Sequence, residues 1–389
     1  MKGWITGQDL GVWWRRLRAM SLKELLQLWR DPVLLFLIVY AFTADIYNAG
    51  SGVTLQLNNA AMVFQDHDRS AASRELLGRF QSPHFNQLGE VANEREGLQL
   101  LDESAALFVL DIPSQFGQTL ARGGSTQLQM QIDASNSVLG FLAYSDATQI
   151  VARYGLEAGL ARAGLGGGQA TSGVPMVVNQ QRVWFNPNQN DAWFMAISEL
   201  LNVITVFAIL LPASAMVREK ERGTIEQLIV SPLTPFQVMF PKVLAMTLVI
   251  LMGTTLTLLG VLGPVFGVPF RGSVALFYLV TTLYIFALSG IGLFIATMTR
   301  NLAQASMLAI LVLAPMMFLS GVWTPPEAMP TLARWGMYVS PLYYYIDAAY
   351  GIILKGAGLS LLWDSVLGIL VLGSLAGVLG LRRFRRQFD

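Results

Sequence analysis

Six apolar runs organise the chain, at residues 32–47, 193–217, 236–263, 274–298, 302–322 and 359–381. Most of them reach the roughly 20 residues that a helix needs to cross about 30 Å of hydrocarbon. The first is short and holds Asp45 near its end, so it reads as a span extended by the segment before it. The pattern predicts an α-helical polytopic membrane protein with six transmembrane helices.

Between the first two runs the pattern changes. Residues 53–64, 105–110, 128–132 and 176–185 are β-branched and apolar between turn signals, as strands are. Residues 70–80, 113–121 and 137–163 read as helices, with Pro113 in the first turn of its helix, where a missing N–H costs nothing. Residues 165–173 are Gly-rich, as a linker is. The expectation is an α/β domain over 48–191, inserted between transmembrane helices 1 and 2. Ahead of the first run, residues 10–30 wind into an amphipathic helix. Trp13, Trp14, Leu17, Met20, Leu25 and Leu28 fall on one arc, and Arg16, Lys23, Gln27 and Arg30 on the other. Indole rings and basic stems suit the membrane interface; the plainer reading is a helix packed on protein. Asp31-Pro32 ends it.

Composition strengthens the membrane reading. Of 389 residues 53% are hydrophobic and 13% charged, against about 25% charged in soluble domains, and the mean hydropathy is +0.50. The chain has no cysteine, so disulfides play no part. A net charge of +1 gives no sign of nucleic acid. The first thirty residues show no apolar core of a signal peptide. Basic residues collect at one set of helix ends: Lys2, Arg15, Arg16, Arg18, Lys23 and Arg30; then Arg218, Lys220, Arg222 and Lys242; Arg300; and Arg382, Arg383, Arg385 and Arg386. The opposite short connections hold only Arg271, Arg334 and Lys355. Basic flanks stay in the cytoplasm. Both termini are therefore expected there, with the α/β domain on the outer side of the membrane.

Candidate chemistry is sparse. No G-x-x-x-x-G-K-[ST] phosphate loop occurs, and the Leu-Gly-Gly-Gly-Gln at 165–169 reads as linker. His67, between Asp66 and Asp68, reads as a turn with a helix cap rather than a metal site. Glu199 is the one clear carboxylate within a span; it reads as a headgroup-level residue, as a neighbour of Asn202, or as a group lining a cavity. The segment 217–235 is more informative. Arg218, Glu219, Lys220, Glu221, Arg222 and Glu226 crowd the mouth of a span, Gly223 interrupts them, and Thr224 is placed to cap a short helix. Ile225, Leu228 and Ile229 give that helix an apolar edge, and Ser231-Pro232 ends it. Such a helix suits a groove on a soluble partner; a solvated amphipathic turn is the plainer reading.

These residues carry a resemblance. Glu219, Glu221, Gly223, Thr224, Glu226, Leu228, Val230, Pro232, Thr234 and Pro235 match the first cytoplasmic loop of type-2 ABC exporter permeases, E-[KR]-E-x-G-T-[IVL]-E-x-L-x-V-x-P-[IL]-[ST]-P. Three further stretches resemble the same family: Phe318-Leu-Ser-Gly-Val-Trp-Thr-Pro-Pro-Glu-Ala-Met-Pro330, Ser340-Pro-Leu-Tyr-Tyr-Tyr, and Phe185-Asn-Pro-Asn188 before Trp193. The likeness covers nearly the whole chain and is greatest to the YhhJ-like branch, which carries such an insertion. It implies a division into a connecting helix (1–31: Trp13, Trp14, Arg16, Leu17, Lys23), helix 1 (32–47), the periplasmic α/β domain (48–191) and helices 2–6 (192–389). Within the last part it implies a coupling helix (219–232: Glu219, Lys220, Glu221, Arg222, Gly223, Thr224, Glu226, Leu228). It also implies a re-entrant outer hairpin (321–356: Gly321, Trp323, Pro325, Pro330, Pro341).

The function implied is the permease subunit of an ATP-driven exporter, itself not an enzyme and without a cofactor. ATP and Mg belong to a dimer of partner ATPase subunits. A second permease copy completes the membrane part as a homodimer, set in membrane lipid, and the outer domain is placed to receive cargo or dock a periplasmic adaptor. Glu199, Asn202, Thr205 and Phe207 on helix 2, with Met307, Leu311 and Met317 on helix 5, are the expected path for hydrophobic or amphipathic cargo. A proton-coupled efflux protein and a non-transporting membrane scaffold are the alternatives.

Overall fold

The computed structural model describes residues 7–52, 57, 59–133, 135, 137–162, 190–223, 234–322 and 329–385. The chain divides into two compact units, Met1–Val53 with Val183–Asp389, and Thr54–Arg182. The expected strand at 176–185, the linker at 165–173 and the motif at 185–188 lie outside the described residues.

The first unit is helical. α1 (Gly7–Trp29) is followed by α2 (Pro32–Gly52), whose first turn is set by Asp31: its side chain accepts the Leu34 N–H at 3.1 Å, and Pro32 fills a position that needs no donor. A π-helical turn at Ala41–Asp45 rotates the rest of α2. It sets Phe42 wholly inside the core, stacked 5.7 Å from Phe207. The later helices are α7 (Asp191–Glu221), α8 (Pro235–Thr257, prolonged by a π turn at Leu258–Leu262), α9 (Val274–Met298), α10 (Leu302–Phe318), α11 (Thr331–Tyr338), α12 (Pro341–Tyr350) and α13 (Trp363–Arg385). The intervening labels belong to the second unit.

Among the described residues, five helices are long and apolar enough to cross a membrane: α2, α7, α8 with its π turn, α9, and α13 over Trp363–Gly380. The run expected at 302–322 gives only the 17-residue α10. Its helix ends at Phe318, and Gly321 turns the chain away with a φ of 86°.

α7 and α9 make the core. Small residues let the backbones meet: a Cβ on Gly292 would run into the backbone carbonyl of Ile209, and one on Gly290 into Gly377 of α13. Hydroxyls join the helices where water is excluded. Thr205 and Tyr284 lie 2.9 Å apart, Thr281 and Tyr345 3.0 Å, and the rings of Tyr284 and Tyr345 stack at 3.9 Å. Buried hydroxyls paired in this way avoid the penalty of an unmet hydrogen bond.

The second unit is a four-stranded sheet ordered β2-β1-β3-β4. Its strands are β1 (Ala60–Asp66), β2 (Phe85–Glu90), β3 (Phe108–Ile112) and β4 (Gln129–Ile132). β1 pairs in parallel with β2 and β3, and β4 runs antiparallel to β3. Its helices are α3 (Ala71–Leu77), α4 (Glu94–Asp102), α5 (Phe116–Arg122) and α6 (Ser137–Arg162). Phe80, Phe85 and Phe108, with centroids 5.2–5.9 Å apart, fill its centre. β2 and α4 were not anticipated. β2 is an edge strand with mostly exposed side chains, so it lacks the apolar alternation that marks a strand. Pro113 is not in the first turn of α5: the helix opens at Phe116, after Gln115 at a φ of 66°.

Candidate coupling site at the base of the longest helix

α7 is the longest described helix of the first unit. Its 31 residues extend over about 46 Å, longer than the roughly 30 Å of hydrocarbon it can cross. Its last turn holds four consecutive charged residues, and between them they reach five other elements. Arg218 lies 3.8 Å from Asp31, the cap of α2. Glu219 joins α1 and α8. Lys220 donates to the carbonyls of Ala296 (2.5 Å) and Thr299 (3.4 Å) at the end of α9. Glu221 accepts the Leu302 N–H at 2.8 Å at the start of α10. The signs match the helix termini: an ammonium meets unpaired carbonyls, and a carboxylate meets unpaired N–H groups.

Glu219 is the centre of a buried charge cluster. It is only 3% exposed, like Glu24, and Lys242 is 0% exposed. The Lys242 ammonium lies 2.6 Å from both carboxylates, and the Lys23 ammonium lies 2.7 Å from Glu219 and 3.4 Å from Glu24. Two acids and two bases balance, which is what lets such groups persist out of water. Burial works against the half-exposed Lys23 ammonium. Hydrogen bonding and charge from Glu219, and then from Glu24, outweigh it and raise its pKa above the ordinary 10.5.

α1 reaches this cluster with a buried stripe of Leu17, Ser21, Glu24 and Leu28. Trp14, Leu22, Leu26 and Trp29 are exposed on one flank, and Arg16, Lys23 and Arg30 on the other. Trp13 meets Trp14 edge to face at 5.1 Å. The helix therefore has three faces rather than two, and its protein-facing stripe includes a serine and a glutamate. Ser21 and Glu24 escaped sequence reasoning because they look like surface groups until Pro241 and Lys242 are brought beside them.

This geometry can be set beside known proteins. The sequence profile of the family described as "ABC-2 family transporter protein" matches residues 25–382. The chain belongs to the ABC-2 transporter family. It is 33% identical over 380 residues to the inner membrane transport permease YhhJ of Escherichia coli K12, covering 96% of this chain and 97% of that one. It is 29% identical to the probable multidrug ABC transporter permease YbhR of the same organism, over 96% and 99% of the two chains. With YbhS, another probable multidrug ABC transporter permease, it shares 26% over 88% and 89%.

The other site residues of this ABC-2 protein have varied surroundings. Arg222 caps the end of α7, and Gly223 follows at a φ of 68°. Thr224, Glu226, Leu228, Trp323 and Pro325 lie outside the described residues. Asn202, Thr205 and Phe207 are buried within the chain's own core. The Glu199 carboxylate is 3.4 Å from the Asn202 amide. Met317 packs on that core, whereas Met307 and Leu311 are exposed. Within the chain, the structure does not bring the α7 and α10 sets onto one common surface. Pro330 and Pro341 open the short helices α11 and α12, and Gly321 forms the bend before them.

Proposed function

We propose that this chain is the membrane-spanning subunit of an ATP-driven exporter, with ATP and Mg held by a separate pair of ATPase subunits. In this reading α10 is the fifth of six crossings, both chain ends are cytoplasmic, and the α/β unit is periplasmic. The observation that carries it is the last turn of α7, where residues 218–221 grip α2, α1 with α8, α9 and α10 in succession. A push delivered through the segment 219–232 reaches all of these helices at once through charge-assisted bonds. Two permease copies enclose the path, and hydrophobic or amphipathic cargo moves outward. The names of YbhR and YbhS support a drug-like cargo class.

Reconstitution with the cognate ATPase tests this. The permease alone is expected to hydrolyse no ATP. Glu221→Ala with Lys220→Ala is expected to keep the complex but lower cargo-stimulated hydrolysis about tenfold or more. Unchanged stimulation would sink the coupling role. Proton-coupled efflux is the second reading, favoured by Glu199 beside Asn202 and within electrostatic reach of Asp45. It requires transport that survives ATP depletion and stops in Glu199→Gln.

A further inference from the structure

Beside the charge cluster lies a cleft of about 640 Å³ with a different character. Arg30, Arg218 and Arg222 line it, with Lys23, Gln27 and Asp31. Lys23 is already engaged by Glu219 and Glu24. That leaves three guanidinium groups facing one carboxylate. Arg218 approaches Asp31 only to 3.8 Å, and its Nε is buried with no hydrogen-bond partner among the described residues. A buried donor left in this state calls for an acceptor.

The cleft does not stand alone. Asp31 and Arg218 also line a second hollow, a groove of about 370 Å³. Its walls are apolar: Leu34 and Leu37 of α2, Phe207, Leu210 and Leu211 of α7, and Ala305 of α10. The cationic cleft and an apolar groove lined by the membrane-crossing helices therefore lie side by side, sharing Asp31 and Arg218. Val33, Phe36 and Leu37, also on the groove's lining, are exposed apolar side chains. The shared pair lies at the charged last turn of α7 and the cap of α2, a run of charge beside apolar helices that suits headgroup depth.

We propose that the two hollows together hold one anionic phospholipid, its phosphate among Arg30, Arg218 and Arg222 and one acyl chain along the groove between α2, α7 and α10. The guanidinium fork matches phosphate oxygens in pairs, and basic pockets between helices at the membrane boundary suit anionic headgroups. A soluble phosphate would use the cleft but leave the groove empty. A zwitterionic lipid would fill the groove but bring its own cation against the arginines. The bound lipid touches Arg218, the first residue of the 218–221 turn, so its charge bears on the junction of the helices. The proposal does not depend on the direction of transport or on the energy source.

The test is thermal unfolding of the full chain in detergent with phosphatidylglycerol, with phosphatidylcholine of the same acyl chains, and with soluble glycerol phosphate. Phosphatidylglycerol is expected to raise the midpoint about 3 °C more than phosphatidylcholine, and glycerol phosphate to leave it unchanged. Native mass spectrometry is expected to retain one phosphatidylglycerol per chain. Arg30→Gln with Arg222→Gln, both exposed positions, is expected to erase the increment while keeping the midpoint in phosphatidylcholine. Ser306 of α10 also lines the groove, and Ser306→Trp, which fills it and alters no charge, is expected to erase the increment too. Equal shifts with both lipids, an equal shift with glycerol phosphate, or an increment that persists in either variant overturns the proposal.

Discussion

Lys242 has no solvent exposure and two carboxylates at 2.6 Å. Removing it leaves Glu24 and Glu219 facing each other with only the half-exposed Lys23 to balance them. Breaking a buried pair in this way costs about 3–5 kcal/mol. Lys242→Met is therefore expected to lower the melting temperature markedly. Lys242→Met with Glu24→Gln is expected to recover most of the loss, because the Lys23–Glu219 pair stays neutral; failure to recover would mean that packing, not charge, sets the cost. Lys23 also gives a pH signature. Its pKa is raised in the folded chain, so its contribution is complete below the unfolded value and fades as pH rises through the folded one. Melting curves from pH 9 upward are expected to show an alkaline loss that Lys23→Met lacks. Lys23 and Glu219 could be singled out from the sequence, but only as headgroup and docking residues. Their partnership with Glu24 and Lys242 could not, because 218 residues separate Glu24 from Lys242.

Helices are held together here by close backbone approach as much as by side chains. At Gly292 there is no room for a Cβ against the carbonyl of Ile209, and backbone cannot yield as a side-chain tip can. Gly292→Val is expected to destabilise the α7–α9 contact by about 1–3 kcal/mol, read as earlier unfolding in a detergent titration; a neutral result would place the helices farther apart than described. α7, α8, α9 and α13 follow apolar runs that a reader of the sequence can mark, since transfer of a helix from water to lipid depends on its own residues. β2 and α4 do not: an exposed edge strand and a short charged helix carry little periodic signal, and both take their places from the strands they pack beside. The three faces of α1 were half legible. The apolar and basic flanks show in the spacing, whereas the stripe bearing Ser21 and Glu24 becomes a protein face only when α8 supplies Pro241 and Lys242.

As a whole the first unit presents apolar side chains outward on most helices. On α10, Met307, Ile310, Leu311 and Phe318 are exposed on spacings of three, one and seven. In the proposed homodimer this face meets the second copy, where Met307 and Leu311 can take part in a path that one chain alone does not form. The chain has no cysteine, so single thiols report cleanly. Met307→Cys is expected to give cross-linked dimers in oxidised membranes, whereas Met252→Cys, an exposed position on α8, is expected to give none. Cross-linking at 252 and not at 307 would move the interface to α8.

The sequence by itself determined that this is a membrane protein with long apolar helices and an inserted segment of different pattern, and its motifs led to the ABC-2 family. Those properties are local: each run carries its own hydropathy, and each motif its own spacing. Only the tertiary structure decided which charges meet, that residues 218–221 hold α1, α2, α8, α9 and α10 together, and that Asn202, Thr205 and Phe207 are enclosed within one chain. The physical reason is that a charge in a low-dielectric setting is defined by its partner, and the partners here lie far away along the chain.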